Sequence, residues 1–124
     1  MNMLIKNAYI EKMEVPKAFN KVTQREYFYA LILTEEKFLE FVRNGFPAKA
    51  KEVIDGSYKY FIRVTPKYPV GMASSDAIES VEHKFIYRND IDVDFDIFTV
   101  TRNGKKMHRL YFNPFNVKEN NRNE

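Results

Sequence analysis

The 124-residue chain contains no cysteine and no tryptophan, and it has only two histidines, His83 and His108. Without cysteine the chain can form neither a disulfide bond nor a cysteine-ligated zinc site, and it offers no thiol nucleophile. No serine lies in a nucleophile elbow, so a catalytic triad has no support. The four glycines are isolated at predicted turns, which excludes a glycine-rich phosphate loop. We therefore expect no enzymatic activity, no catalytic residues, no metal site and no cofactor.

The chain also lacks a long hydrophobic run near its N-terminus. The stretch MNMLIKNAYIEK has no apolar segment of the length that a signal peptide or a membrane-spanning helix needs. We therefore expect a cytoplasmic protein without a membrane partner.

Aromatic residues, by contrast, are abundant, with 8 Tyr and 11 Phe among the 124 residues. Such a composition favours strands over helices. The length suits one domain that can bury a core of its own. We assign this domain to residues 1–117. The polar remainder, residues 118–124 (KENNRNE), has nothing to bury and is expected to be a mobile tail.

The strongest local signal is a long β-hairpin over residues 90–117. Asn103-Gly104 between two alternating segments is typical of a two-residue type I′ turn, because both central positions need positive φ. The turn fixes the cross-strand pairs, which on one face are Val100–Met107, Phe98–Arg109 and Asp96–Tyr111. The pairs on the other face are Thr101–Lys106, Thr99–His108, Ile97–Leu110 and Phe95–Phe112. This face contains the more natural core layer, formed by Val93, Phe95, Ile97, Leu110 and Phe112. A slip of one residue would exchange the two faces.

Three further segments have the pattern of strands, namely residues 3–15, 26–33 and 58–65. A helix is predicted between the last two, with Thr34 as its N-cap and Gly45 following its last turn. A second short helix is predicted over residues 47–54, residues 17–25 are either a loop or a short strand, and residues 83–87 suggest another strand. This order predicts a mainly β fold: an OB-fold-like β-barrel of five or six antiparallel strands with one or two short helices.

Four elements follow one another over roughly residues 3–113: the opening strand LIKNAYI, the run YFYALIL with the helix after it, the strand YKYFIRV, and the closing hairpin. In this layout the chain resembles small phage-type single-stranded-DNA-binding proteins with an OB-fold. The resemblance implies strand protection in DNA replication or recombination within a host cytoplasm. The chain departs from this family at its tail. Many members end in an acidic tail with an aromatic tip, whereas KENNRNE is nearly neutral and has no aromatic residue.

Basic and aromatic side chains alternate on the strand that carries Lys59, Phe61 and Arg63, and again on the outward face of the hairpin. Aromatic rings stack on bases and cations meet phosphates, which is what single-stranded nucleic acid requires of a protein surface. We therefore predict sequence-tolerant binding of single-stranded DNA, with RNA as an open alternative, by Lys59, Phe61, Arg63, Phe98, Lys105, Lys106, Arg109, Tyr111, Tyr27 and Tyr29. The competing interpretation is that a helix or another strand covers these faces and the aromatic residues belong to the core.

Charge is segregated along the chain. Residues 76–96 carry seven acids and two bases, a local net charge of −5, although the whole chain is +3. Asp92, Asp94 and Asp96 alternate on one strand face, which favours a solvated surface. Carboxylates two residues apart are about 7 Å from each other, too far to hold one metal ion without help from another strand. A second hypothesis is a small inhibitor or adaptor that binds a host or replication protein through this acidic face or through the aromatic one. A metal-dependent nuclease is a third, and a homodimer through an edge strand also stays open.

Overall fold

The computed structural model describes residues 1–14, 27–67 and 79–120 of the chain. Within these ranges the fold is mainly β with short helices, which confirms the predicted class. The eight strands in the described ranges are β1 (Asn2–Ile5), β2 (Ile10–Glu14), β3 (Tyr27–Leu33), β4 (Lys49–Glu52), β5 (Tyr58–Pro66), β6 (Ile91–Arg102), β7 (Lys105–Phe112) and β8 (Lys118–Glu119). The helical elements with defined bounds are α1 (Glu35–Arg43) and the 3₁₀ turns Glu82–Lys84 and Pro114–Asn116.

All eight strands belong to one open, mixed sheet. Its main path runs β1-β6-β7-β5-β3-β2, while β4 pairs with β5 and β8 pairs with β6. The contact between β5 and β7 is parallel, with Val64 beside Leu110. The sheet thus has more strands than the five or six expected, and it is not entirely antiparallel. The additional strands are short and polar, KAKE in β4 and KE in β8, so they lack the apolar alternation by which strands are recognised in a sequence.

The predicted hairpin register is confirmed from Asp96–Tyr111 to Thr101–Lys106, and Arg102 pairs with Lys105 at the turn. Asn103 and Gly104 have φ of 51° and 77°, as a type I′ turn requires. Of the predicted core layer, Val93, Phe95, Leu110 and Phe112 are buried and Ile97 is partly buried. The rings of Phe95 and Phe112 pack edge to face with centroids 5.7 Å apart. Local turn chemistry and the two-residue period therefore determine the longest element of the fold.

One face of the sheet, called here the inner face, carries the core. Its buried residues come from β2, β3, β5, β6 and β7 and include Ile10, Leu31, Ile62, Val64, Val93, Phe95, Leu110 and Phe112. The helix α1 lies on this face, with Phe41 buried and the Phe38 ring 4.8 Å from that of Tyr60. Thr34 caps the helix by accepting a hydrogen bond from the Lys37 amide, and Gly45 follows it with φ of 85°, as predicted.

Several predicted boundaries are wrong. The first strand divides into β1 and β2 at Asn7, whose φ is 55°. The predicted second helix over residues 47–54 contains β4 instead, because residues 49–52 pair with the edge of β5. Residues 83–87 contain a 3₁₀ turn and a single bridge between Ile86 and Ile10. Residues 118–120 of the predicted tail contact the sheet, since β8 pairs with β6 and Asn120 bonds to Asn7 and Asp92. The segment 17–25 lies outside the described residues.

A polar cluster around Glu82 ties the 3₁₀ turn to β2 and β3. The largely buried carboxylate of Glu82 accepts hydrogen bonds from the hydroxyls of Tyr29 and Tyr27, and it forms an ion pair with Lys12 at 2.9 Å. Burial and the hydrogen bond to Glu82 raise the pKa of Tyr29, so its hydroxyl remains the donor. The hydrogen bond to Glu82 also raises the pKa of Lys12. The cluster thus holds together three elements that are distant in sequence.

Replacing Glu82 with alanine is expected to lower the free energy of unfolding by about 1–3 kcal/mol, because the Tyr29 hydroxyl would lose its acceptor at the edge of the core. Urea denaturation measures this loss, provided that the dependence of the unfolding free energy on urea concentration is the same in both proteins. Glu79→Ala is the control, since Glu79 is exposed and precedes the same turn. Equal, small effects of both substitutions would show that the cluster does not stabilise the fold.

No helix in the described ranges has both the length and the apolar character to cross a membrane.

Candidate nucleic-acid interface

The face opposite α1, called here the outer face, gathers part of the predicted site. Side chains on a strand alternate between faces, so Phe98, Arg109 and Tyr111 project away from the core layer formed by their neighbours. In β5, Thr65 pairs with Tyr111, which places Arg63 on the same side of the sheet. Residues from three strands, β5, β6 and β7, are therefore brought to one surface.

An aromatic pair lies at the centre of this surface. The rings of Phe98 and Tyr111 meet edge to face with centroids 5.2 Å apart. Phe98 is 42% exposed, whereas Tyr111 is partly buried. The ammonium group of Lys67 lies 4.9 Å from the centroid of Phe98, within the range of a cation–π contact. An accessible ring beside a cation can stack on an unpaired base while the cation meets a phosphate.

A basic cleft of about 500 Å³ adjoins the aromatic pair. It forms because β4 and β7 both pair with the same edge of β5 but at different positions. The strand β4 covers Tyr58 to Phe61, and β7 joins only from Val64 onward. The cationic and titratable side chains that line this gap are Lys49, Arg63, Arg102, His108 and Arg109, and Tyr111 lines it too. None of the lining residues within the described ranges is acidic. The cleft is therefore suited to an anionic group such as a phosphate.

His108 is held in place by contacts on two sides. Its Nδ1 lies 2.9 Å from the hydroxyl oxygen of Thr99, and its ring lies 5.1 Å from that of Phe46. Gly45 approaches it closely, since a Cβ at that position would lie 3.4 Å from the His108 Cδ2. The loop that follows α1 therefore packs against this wall of the cleft.

The other predicted site residues are distributed over the fold. Lys59 forms an ion pair with Glu11 at 2.9 Å, and Phe61 is only 8% exposed and packs on Phe28. Lys105 and Lys106 are exposed at the end of the hairpin. The register places Lys105 with Arg102, on the outer side, and Lys106 on the opposite side. The hairpin residues and Arg63 are thus brought together, whereas Lys59 and Phe61 lie further along β5.

Tyr27 and Tyr29 do not belong to the outer face. Both hydroxyls point to Glu82, and Tyr29 is only 6% exposed within the core. A buried ring offers no surface to a base, so Tyr29 is not available for stacking. Tyr29 and Phe61 are thus both buried, Tyr29 within the core cluster and Phe61 outside it, whereas Phe98 is exposed.

Four residues of the site were not among the predicted ones: Lys49, Lys67, Arg102 and His108. Arg102 could have been found from the sequence, because a two-residue turn at Asn103-Gly104 pairs Arg102 with Lys105 on the outward face. His108 was assigned to the core side, and only the gap beside β7 exposes it to the cleft. Lys49 and Lys67 gave no local signal, because their positions depend on β4 and on the parallel contact between β5 and β7.

A second cleft, of about 680 Å³, lies at the other end of β6 and is acidic. Asp92, Asp94 and Asp96 line it, together with Asn2 and Lys118. Asp92 accepts hydrogen bonds from the Asn7 amide and the Asn120 side chain, so this carboxylate is used in part to fix the chain. In the described part of the chain, no group of three His, Cys, Asp or Glu residues is arranged to hold a metal ion. The acidic cleft gives the protein a distinct negative end beside the basic one.

The chain matches no protein-family model, no curated protein and no solved structure. Its function must therefore be inferred from the geometry and charge of its own residues.

Proposed function

We propose that this is a nucleic-acid-binding protein whose ligand binds to one face of its open β-sheet. The supporting observation is that the Phe98–Tyr111 pair adjoins a cleft lined by Lys49, Arg63 and Arg109. Aromatic rings and a concentrated positive charge are the two features that a flexible, anionic strand with unpaired bases requires.

More particularly, the ligand is single-stranded DNA, bound with little dependence on sequence. Stacking requires a base that is not already stacked within a duplex, so a double helix cannot use the exposed Phe98 ring. No asparagine or glutamine lies among the described residues of the cleft, so it lacks the side-chain amides that pair with adenine, and we assign its arginines to phosphates. Protection of transiently open strands during replication or recombination, on an OB-like scaffold, is the role that fits such binding.

The acidic cleft limits the path that bound single-stranded DNA can take across the sheet. Asp96 is two residues from Phe98 on the same side of β6, and Asp94 lies further in the same direction. Phosphates would be repelled along this line and attracted toward Arg63 and Arg109. The bound DNA is therefore expected to cross the hairpin towards β5 rather than to run along β6.

The double substitution Phe98→Ala/Tyr111→Ala is expected to weaken binding of labelled oligo-dT by about 10- to 100-fold. This follows from the roughly 1–3 kcal/mol that one base–aromatic stack contributes. Fluorescence anisotropy at fixed salt measures the affinity, and circular dichroism checks that the fold is kept.

The matched control is Phe115→Ala. Phe115 is also partly exposed, but it lines the acidic cleft. The Phe115→Ala variant should bind oligo-dT as tightly as the unchanged protein does. If the double variant bound normally, or if Phe115→Ala lost as much affinity, the aromatic pair would not be the stacking site.

A further inference from the structure

The strand β6 extends beyond the neighbour on one of its two sides. On that side, β1 pairs with β6 from Val93 to Asp96, and the Met1 carbonyl accepts a hydrogen bond from the Ile97 amide at 2.8 Å. On the other side, β7 accompanies β6 as far as Arg102. Among the described residues, no strand therefore pairs with β6 on the β1 side after Ile97.

The backbone groups left open on this edge can be identified from the alternation of the ladder. The Ile91 carbonyl accepts from the Ala8 amide and the Ile97 amide donates to Met1, so the odd-numbered residues of β6 direct their backbone groups away from β7. Thr99 and Thr101 are odd-numbered, so their amides and carbonyls also point away from β7. Within the described ranges their two amides and two carbonyls have no strand beside them. They form a short open edge on exposed, β-branched residues, which is a template for another strand.

We propose that the occupant of this edge is the same segment of a second copy of the chain, added antiparallel around a two-fold axis at Val100. In this register Thr99 lies opposite the partner's Thr101, and the two exchange both backbone hydrogen bonds. The symmetric pair does the same, so all four open groups are satisfied. A different partner strand would have to match this edge by chance, whereas the segment FTVTR matches itself.

The side chains of this register are also complementary. On the outer face, Phe98 lies beside the partner's Arg102, and an aromatic ring beside a guanidinium is a favourable neighbour. Val100 lies opposite its own copy, and threonine lies opposite threonine on the inner side. No like charges stand directly opposite one another within the five paired residues. The five residues at the open edge are therefore complementary to the same five residues of a second copy.

The resulting dimer joins the two outer faces into one sheet in the order β7-β6-β6-β7. Both Phe98–Tyr111 pairs then lie on one continuous surface. The contact involves only five residues from each chain, so the association is weak and increases with protein concentration. The dimer itself does not depend on the proposed function, and it is tested without nucleic acid.

The test uses sedimentation equilibrium from micromolar to near-millimolar protein, comparing Thr101→Pro with Thr101→Val. Proline removes an amide that points to the open edge, whereas valine keeps it, and the hydrogen bonds to β7 involve the other residues of β6. The unchanged protein and Thr101→Val should approach twice the chain mass of 14.8 kDa. Thr101→Pro should associate at least about tenfold more weakly. A chain that stays at 14.8 kDa, or equal association of both variants, would overturn the proposal.

A second pair of variants tests the two-fold axis and does not depend on proline. Val100→Lys and Val100→Glu each place like charges opposite one another, so each alone should associate weakly. An equimolar mixture should restore association, because lysine then faces glutamate, and added salt should reduce this effect. If the mixture associated no better than the separate variants, the second copy would not meet this edge at Val100.

Discussion

Replacing both Arg63 and Arg109 with glutamate is expected to lower the affinity for oligo-dT by at least about 100-fold. Hydrogen bonds to charged groups contribute about 1.5–3 kcal/mol each, and 1.4 kcal/mol corresponds to a factor of ten. The two arginines lie on neighbouring strands and line the same cleft, so the reversal would replace its attraction for phosphate by repulsion. The salt dependence of binding should also become shallower, because fewer counterions are released. Anisotropy titrations at several salt concentrations measure both quantities.

The control for this experiment is the double substitution Lys6→Glu/Arg43→Glu, which changes the net charge by the same amount. Lys6 lies in an exposed turn after β1, and Arg43 is exposed in the last turn of α1, on the other side of the sheet. This variant should lose only the small part of the affinity that depends on overall charge. Equal losses in the two double variants would mean that net charge alone attracts the strand, and that the cleft is not a binding site.

The second large effect concerns stability. Phe112→Ala is expected to lower the free energy of unfolding by about 3–5 kcal/mol, the usual cost of removing a buried phenylalanine ring. The Phe112 side chain is 1% exposed, and its ring meets those of Phe85 and Phe95 edge to face at 5.0 and 5.7 Å. It therefore joins the 3₁₀ turn region to the hairpin. Because a domain of this size is stabilised by only about 5–15 kcal/mol in total, this loss is a large share of its stability.

Phe98→Ala provides the comparison for this experiment, because Phe98 lies on the same hairpin but is exposed. Its substitution should cost less than about 1 kcal/mol, as is usual for surface positions, while it reduces DNA binding. The free energies of unfolding from urea denaturation then distinguish Phe112, which stabilises the fold, from Phe98, which is assigned to DNA binding. Similar costs for both would show that the assignment of inner and outer faces is incorrect.

The hairpin could be predicted in detail because its determinants are local. The pair Asn103-Gly104 selects the turn, the turn fixes the register, and the apolar alternation selects the buried face. The same applies to α1, whose N-cap at Thr34 and stop at Gly45 are both found in the structure. Where neighbouring residues decide the conformation, the sequence was sufficient.

The remainder of the fold depends on contacts between segments that are distant in the chain. The parallel contact of β5 with β7 brings Val64 to Leu110, and nothing near either residue indicates the other. The basic cleft arises from this contact, so its complete set of cations could not be assembled from the sequence. The central strand β3 is apolar on both faces, and its pattern therefore could not show that Tyr29 points into the core.

Binding of single strands is the central claim, and anisotropy with labelled oligo-dT, oligo-dA and duplex DNA at two salt concentrations tests it most directly. We predict similar, tight binding of both single strands, a marked loss of affinity at the higher salt, and weak binding of the duplex. Absence of single-strand binding at low salt, or duplex binding as tight as single-strand binding, would contradict the claim.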